Sequence, residues 1–361
     1  MKTLNLAILA GDGVGSEIMS VSLDVLHFLK KAGLIDLNLQ SGLVGGVSIR
    51  DCGAPITQQT IEMVKKADAV LFGAVGDYSF DHLPQASRPE VAILSLRKEL
   101  NLFANLRPIF IFNELIENST IKSEVIKEVD LMIVRELTGD IYFGQPRGFK
   151  TEQGVRYGYN TMIYSEPEIE RIAKVAFELA LKRGRKVTSI DKANVLEAMQ
   201  FWRDTVTNIS KSYDSVQLNH LYVDNAAMQL VCNPRQFDVM LTGNIFGDIL
   251  SDQASMITGS IGLLPSASLS DNKFGLYEPI HGSAPDIAGK NLANPIAMLM
   301  SLSMMFKYSF NLDDLGHLIE KAIRRTLNKK IGTIDICKKG WKVCGTKEIG
   351  VEIIKDLESL C

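Results

Sequence analysis

Leu4-Asn-Leu-Ala-Ile-Leu-Ala10-Gly11-Asp12-Gly13-Val14-Gly15-Ser16 opens on seven mainly apolar residues and runs into a glycine turn. Leu4–Ala10 reads as a buried strand. Beyond the turn, Ile18, Val21, Val25, Leu26 and Leu29 recur at helical spacing between Glu17 and Lys31. Thr60–Lys66 reads as a short helix and Ala69–Ala74 as a second strand. Strand, helix and strand in that order predict an α/β fold with a largely parallel sheet covered on both faces. The turn spaces its glycines as G-x-G-x-G. A Rossmann dinucleotide site needs G-x-G-x-x-G, because each glycine has its own steric task. Here the third glycine comes one residue early, so the turn alone leaves a plain strand end and a ligand contact both open.

The 361 residues carry 39 Lys+Arg and 42 Asp+Glu, a net charge of −3, with 46% hydrophobic and 22% charged residues. Such a chain has the apolar content for a large core and is neither disordered nor fibrous. It lacks the concentrated positive footprint of a nucleic-acid binder. No window of 18 uncharged apolar residues suggests a membrane span, and the N-terminus lacks a secretory signal pattern. Cys52, Cys232, Cys337, Cys344 and Cys361 are odd in number and widely spaced, which predicts a reducing, cytoplasmic setting. Cys337 and Cys344 lack companions for a four-ligand zinc set.

Further along, Leu131–Val134, Lys186–Ile190 and Phe237–Thr242 read as strands. Ser165–Glu168 fits a capping box that starts a helix reaching Arg183, and a second helix spans Val195–Ser210. Gly259–Ala267 and Pro279–Pro295 are Gly/Pro-rich stretches ahead of helices over Pro295–Phe306 and Leu312–Leu327. Without a compositional boundary, a domain that the chain leaves and re-enters is as plausible as two in series.

Four constellations carry chemistry. Arg97 and Arg107, with Arg135 beyond, set guanidinium forks among apolar residues; such forks suit carboxylates. Salt bridges are the plain alternative. Asp248 and Asp252 form an i,i+4 pair on one helix face, costly unless a cation compensates, and are hard oxygen ligands for Mg²⁺ or Mn²⁺; Asp224 is a possible third. Lys192 follows a strand end, where ligands gather in sheet folds. Glu278-Pro-Ile-His281-Gly-Ser-Ala-Pro-Asp286-Ile-Ala-Gly289 marks a structured surface loop, and the helix after Asn294 offers a positive end for phosphate.

Taken together, Arg97…Phe103-Ala-Asn-Leu-Arg107-Pro, Arg135-Glu-Leu-Thr-Gly-Asp-Ile-Tyr142-Phe-Gly, Asp191-Lys192-Ala-Asn-Val-Leu, Thr242-Gly-Asn-Ile-Phe-Gly-Asp248-Ile-Leu-Ser-Asp252 and His281-Gly-Ser-Ala-Pro-Asp286-Ile-Ala-Gly resemble the isocitrate/isopropylmalate dehydrogenase family. The likeness runs essentially the whole length and is strongest to its 3-isopropylmalate branch. It implies an open mixed α/β sheet in two domains, 1–102 with 259–361 and 103–258, a central cleft and a non-Rossmann NAD site. It also implies NAD-dependent oxidative decarboxylation of (2R,3S)-3-isopropylmalate to 4-methyl-2-oxopentanoate and CO₂, a step of leucine biosynthesis. Related malate-type substrates (homoisocitrate, isocitrate, tartrate) and a catalytically silent binding protein of the same fold are the alternatives.

Carried over residue by residue, the resemblance gives Tyr142 and Lys192 as the catalytic pair. Arg97, Arg107 and Arg135 take the malate carboxylates, Asp224 also faces the substrate, and Ile93 and Leu94 take its apolar substituent. Asp224, Asp248 and Asp252 hold Mg²⁺ or Mn²⁺. Glu90, His281, Gly282, Ser283, Ala284, Pro285, Asp286, Ile287 and Asn294 bind NAD. The implied assembly is a homodimer in which Lys192 and Asp224 serve the partner's site. Val14, Ser16, Gly76–Phe80 and Ile93 depart from common forms of the motifs and remove no matched catalytic group.

Overall fold

The computed structural model describes residues 3–361. The chain divides into two compact units. One comprises the described residues up to 102, with 112–120 and 258–361; the other comprises 103–111 and 121–257.

In the unit holding both chain ends, neighbouring strands run in the order Asp36–Ser41, Thr3–Gly11, Ala69–Ala74, Gly275–Pro279, Pro265–Leu269. The first three pairings are parallel and the last is antiparallel. The sheet is therefore mixed, as the family likeness implies. The helix Gly15–Lys31 follows the opening strand, with Glu17 in its first turn and Lys30 and Lys31 in its last, where each complements the helix dipole. The helix Ile296–Tyr308 is buried from Ile296 to Phe306. A helix apolar on all sides is one that is enclosed on all sides. Asp313–Asn328 and Thr346–Glu358 complete the helical layer.

The Gly11–Gly15 turn has a structural task. Asp12 is buried, and its carboxylate accepts the backbone N–H groups of Gly46, Val47 and Gly76 at 2.8, 2.9 and 3.0 Å. Gly13 lies at φ 56°, and a Cβ there would strike the Ser283 backbone, so no other residue fits this approach. Val14 N–H donates to Ser283 O at 2.8 Å. The first turn of the fold thus holds the distant 283 loop.

In the second unit the order is Ala104–Phe110, Asp130–Glu136, Val239–Thr242, Lys186–Asp191, Gln217–Tyr222. The first pairing is antiparallel and the other three are parallel. The helix Glu166–Leu181 starts where the capping box predicts: Glu168 accepts the Ser165 backbone N–H at 2.8 Å. A hairpin, Gly148–Glu152 with Val155–Tyr159, exposes Phe149, Val155, Tyr157 and Tyr159.

Two strands were not legible in the sequence. Pro265–Leu269, partly inside the Gly/Pro-rich stretch Gly259–Ala267, is a buried strand. The segment around Arg107 is a strand too, Ala104–Phe110. Arg107 and Pro108 interrupt the alternation by which a strand is read, and tertiary pairing overrides that local signal.

Candidate active site

The site in the second unit is built on the strand ends Arg135 and Thr242, the turn Asp140–Tyr142 and the helix Asn244–Thr258. Arg107 and Arg135 are 5% and 2% exposed, so neither is a solvated surface cation. Arg135 is bound to the Asp248 carboxylate, and Arg107 Nη1 lies 3.3 Å from the same oxygen. Arg107 also donates to the Ser251 hydroxyl and lies 3.7 Å from Asp252.

Both forks are held from behind. Asn105 Oδ1 accepts Arg107 Nε at 2.8 Å. Asn244 Oδ1 accepts Arg135 Nε and Nη2 at 3.0 and 2.7 Å, while its amide donates to the carbonyls of Leu137 and Gly139. Tyr142 donates its hydroxyl to Asp248 Oδ2 at 2.9 Å, and the Arg135 guanidinium lies 5.7 Å from the Tyr142 ring centre. The Tyr142 turn is pinned by Asp140, a buried residue at φ 71°, whose carboxylate accepts the N–H groups of Ile141 and Ile245.

Asp248 and Asp252 stand one helical turn apart. Burial, then the neighbouring Asp248, push the Asp252 carboxyl above its ordinary range, with Arg107 opposing. Two carboxylates one helical turn apart are hard oxygen donors of the kind that suits a divalent cation. Among the described residues, however, no three His, Cys, Asp or Glu side chains come together as a metal cluster.

Lys192 and Asp224 form a separate pair in the same unit. Lys192 Nζ is 3.0 Å from Asp224 Oδ2, and this bond holds the Asp224 carboxyl below its usual range. Asp191, fully buried, accepts both prongs of Arg203 at 2.8 Å. Arg203 and Lys192 both lie over the Tyr222 ring, at 4.9 and 5.8 Å.

In the unit with the chain ends, Arg97 contacts Glu278 at 3.3 Å in a largely buried pair. Ile93 belongs to the apolar core of this unit, with Leu9, Phe72 and Leu96, while Leu94 is half-buried and Glu90 exposed. In the 281 loop, Gly282, Pro285 and Asp286 are exposed, His281 and Ile287 are half-buried, and Ser283 is buried. A Cβ on Gly282 would meet nothing, so the backbone there is open to approach. Ala284 sits at φ 40°, a strained conformation for a side-chain-bearing residue. Glu17 anchors the loop by accepting the N–H groups of Gly289 and Asn291, both at 2.9 Å. Asn294 is buried, caps Ile296 N–H at 3.0 Å and donates to Asp335 at 3.0 Å. Both ends of its amide are therefore used inside the protein.

The sequence reading did not single out Asn244, Ser251, Glu17, Glu278 or Asp335. Asn244 and Ser251 lay inside a quoted motif and carried no charge to draw notice. The other three act through partners at least 41 residues away in sequence.

Residues 5–353 match the family described as isocitrate/isopropylmalate dehydrogenase. The chain belongs to that family. The 3-isopropylmalate dehydrogenase of Nitrosomonas europaea is 54% identical over 356 residues, 99% of this chain and 100% of the relative. That of Aquifex aeolicus is 51% identical over 100% of this chain and 99% of its own. Among solved structures, isocitrate dehydrogenase from Methylococcus capsulatus superimposes with a TM-score of 0.87 at 28% identity, covering 98% and 99% of the two chains. The β-decarboxylating dehydrogenase from Thermococcus kodakarensis, apo form, gives 0.79 at 33% identity, covering 99% and 97%. Family membership supports an NAD-dependent decarboxylating dehydrogenase acting on a malate-type acid. No helix among the described residues is long and apolar enough to cross a membrane.

Proposed function

We propose that this chain oxidises and decarboxylates 3-isopropylmalate with NAD⁺, giving 4-methyl-2-oxopentanoate, CO₂ and NADH. The observation that carries the reading is the convergence of Arg107, Arg135 and Tyr142 on Asp248, with Asp252 one turn on. Arg97, Arg107 and Arg135 hold the malate carboxylates by bidentate, charge-assisted bonds. Asp248 and Asp252, with Asp224 from a second copy, hold Mg²⁺ or Mn²⁺. When bound, that ion supplies Lewis acidity toward the substrate hydroxyl and carboxylate. Lys192 and Asp224 already lie together, 3.0 Å apart, so both would reach a partner's site as one unit.

Lys192, as a neutral amine after its ammonium has released a proton to solvent, accepts the hydroxyl proton as the C2 hydride leaves for NAD⁺. The 2-oxo acid formed carries a carboxylate β to its carbonyl, and the C–C bond to that carboxylate breaks with release of CO₂. The electron pair left behind makes an enolate. Tyr142 protonates the enolate carbon, directly or through a relay. His281–Ile287 and Glu90 bind the dinucleotide, with Asn294 fixing the loop from inside and the exposed Asp286 accepting from the adenosine ribose. Leu94 faces the isopropyl group, backed by Ile93 in the core.

A panel of kcat/KM values tests the reading. 3-Isopropylmalate should be best, and its NADH and CO₂ should appear together. Burying the isopropyl group is worth about 1–3 kcal/mol. Isocitrate and homoisocitrate should be poor, because a γ-carboxylate would meet Leu94 without a donor and Glu90 with like charge. A preference for homoisocitrate, isocitrate or tartrate would make the second reading correct.

A further inference from the structure

Lys192 follows the strand Lys186–Asp191 and carries its nitrogen on a flexible four-carbon stem. A base has to stand within hydrogen-bond reach of the proton it takes, so something must hold that stem still. The ion pair with Asp224 is too weak for the task alone: the Asp224 side chain is 62% exposed, and pairs open to water contribute little. The second contact is the Tyr222 ring, whose centre lies 5.8 Å from Lys192 Nζ. The sheet sets that contact, because Asp191 and Tyr222 are paired at the ends of neighbouring parallel strands. Tyr222 therefore stands beside the residue that precedes Lys192. The ring is itself fixed. The Arg203 guanidinium, from the helix Glu197–Ser210, lies 4.9 Å from its centre. Arg203 is anchored in turn, since Nε and Nη2 each donate to the Asp191 carboxylate at 2.8 Å. Asp191 is fully buried, which makes that fork costly to break. The same carboxylate accepts the Ala193 N–H at 3.1 Å and so pins the backbone on the far side of Lys192.

We infer that Asp191, Arg203 and Tyr222 are positioning residues for Lys192: the buried carboxylate fixes the guanidinium fork, the fork fixes the ring, and the ring holds the amine in line with the substrate hydroxyl. They act through Lys192 and not on the substrate. The inference rests on the reading of Lys192 as the hydroxyl base and adds what keeps that base in place.

Steady-state kinetics of the full-length protein with 3-isopropylmalate, NAD⁺ and Mg²⁺ test it. Tyr222→Leu removes the ring and should lower kcat by about tenfold or more, with KM for substrate within about twofold. A base out of line slows the step without loosening the arginine contacts. Tyr222→Phe keeps the ring and should stay within about threefold of the parent kcat. Arg203→Met would strand a buried carboxylate, so Arg203→Lys is used: it keeps the charge, loses the fork and should give a smaller loss of kcat of the same kind. Each variant should decarboxylate added 2-oxo intermediate at the parent rate, which also shows that it folds. The decisive comparison is Lys192→Met against Lys192→Met/Tyr222→Leu. Their turnover should be equal, because a positioning residue has nothing to position once the amine is gone. Losses that multiply in the double variant would overturn the inference. So would the parent kcat in Tyr222→Leu, or an equal loss of oxidation and decarboxylation there. Full turnover in Lys192→Met would instead overturn the reading of Lys192 as the base, and this inference with it.

Discussion

Tyr142 donates its phenolic hydrogen to Oδ2 of Asp248 at 2.9 Å, across 106 residues of sequence. One carboxylate therefore orients the proposed proton donor with Oδ2 and gathers two arginines on Oδ1. Replacing the phenol should separate the half-reactions. Tyr142→Phe should lower overall turnover by about 10²–10⁴, the span for a positioned proton-transfer group. Added 2-oxo intermediate should still be reduced, with decarboxylation the more damaged half. Equal loss of both partial reactions would remove the role given to Tyr142.

Asn244 links Arg135 to the Tyr142 turn, although it carries no charge. Asn244→Ala removes the acceptor of Arg135 Nε and Nη2 and the donor to the Leu137 and Gly139 carbonyls, leaving Arg135 held from the Asp248 side. Unfolding free energy should fall by about 2–5 kcal/mol. KM for substrate should rise, because Arg135 loses its fixed orientation. Urea unfolding and steady-state kinetics check the two parts, and a variant with unchanged KM would confine Asn244 to stability.

Metal dependence follows from the acid pair. Chelation should abolish turnover, and Mg²⁺ or Mn²⁺ should restore it. Mixing inactive Lys192→Met and Asp248→Asn subunits should recover part of the activity, since one hybrid site carries neither substitution. No recovery after demonstrated subunit exchange would contradict sharing of the site between copies.

Stability should fall on mild acidification. Burial holds His281 below its ordinary value of 6.5, and burial with the nearby Arg203 does the same for His220. Below pH 6.5 the unfolded chain takes up protons that these folded histidines refuse. The stability they contribute is thus complete above about 6.5 and declines as pH drops toward their folded values. Urea midpoints at intervals from pH 7.5 to 5.5 should decrease, and His220→Gln with His281→Asn should flatten the trend. An unchanged slope in the double variant would assign the effect elsewhere.

In the proposed reading cofactor choice rests on Asp286, which is exposed at the loop surface. A carboxylate accepts ribose hydroxyls and repels a 2′-phosphate. kcat/KM should favour NAD⁺ over NADP⁺, and Asp286→Ala should narrow the gap by about tenfold, near 1.4 kcal/mol. A native preference for NADP⁺ would reverse this reading.

The sequence by itself determined the elements whose pattern is local. Apolar periodicity marked Leu4–Ala10, the helix after Gly15 and Ala69–Ala74, and the i,i+4 spacing put Asp248 and Asp252 on one helix face. Residue chemistry named the arginines and the lysine, and the family resemblance added Tyr142. Tertiary structure alone decided what those groups touch. It turned Ala104–Phe110 and Pro265–Leu269 into strands, because strand pairing is set by neighbours distant in sequence. It sank Ile93 into the core and used both ends of Asn294 inside the protein. It joined Arg135 to Asp248 across 113 residues and paired Asp224 with Lys192. No local pattern carries such contacts. A side chain's partners depend on which strand ends the sheet brings together, and burial then makes each unmatched charge too costly to leave alone.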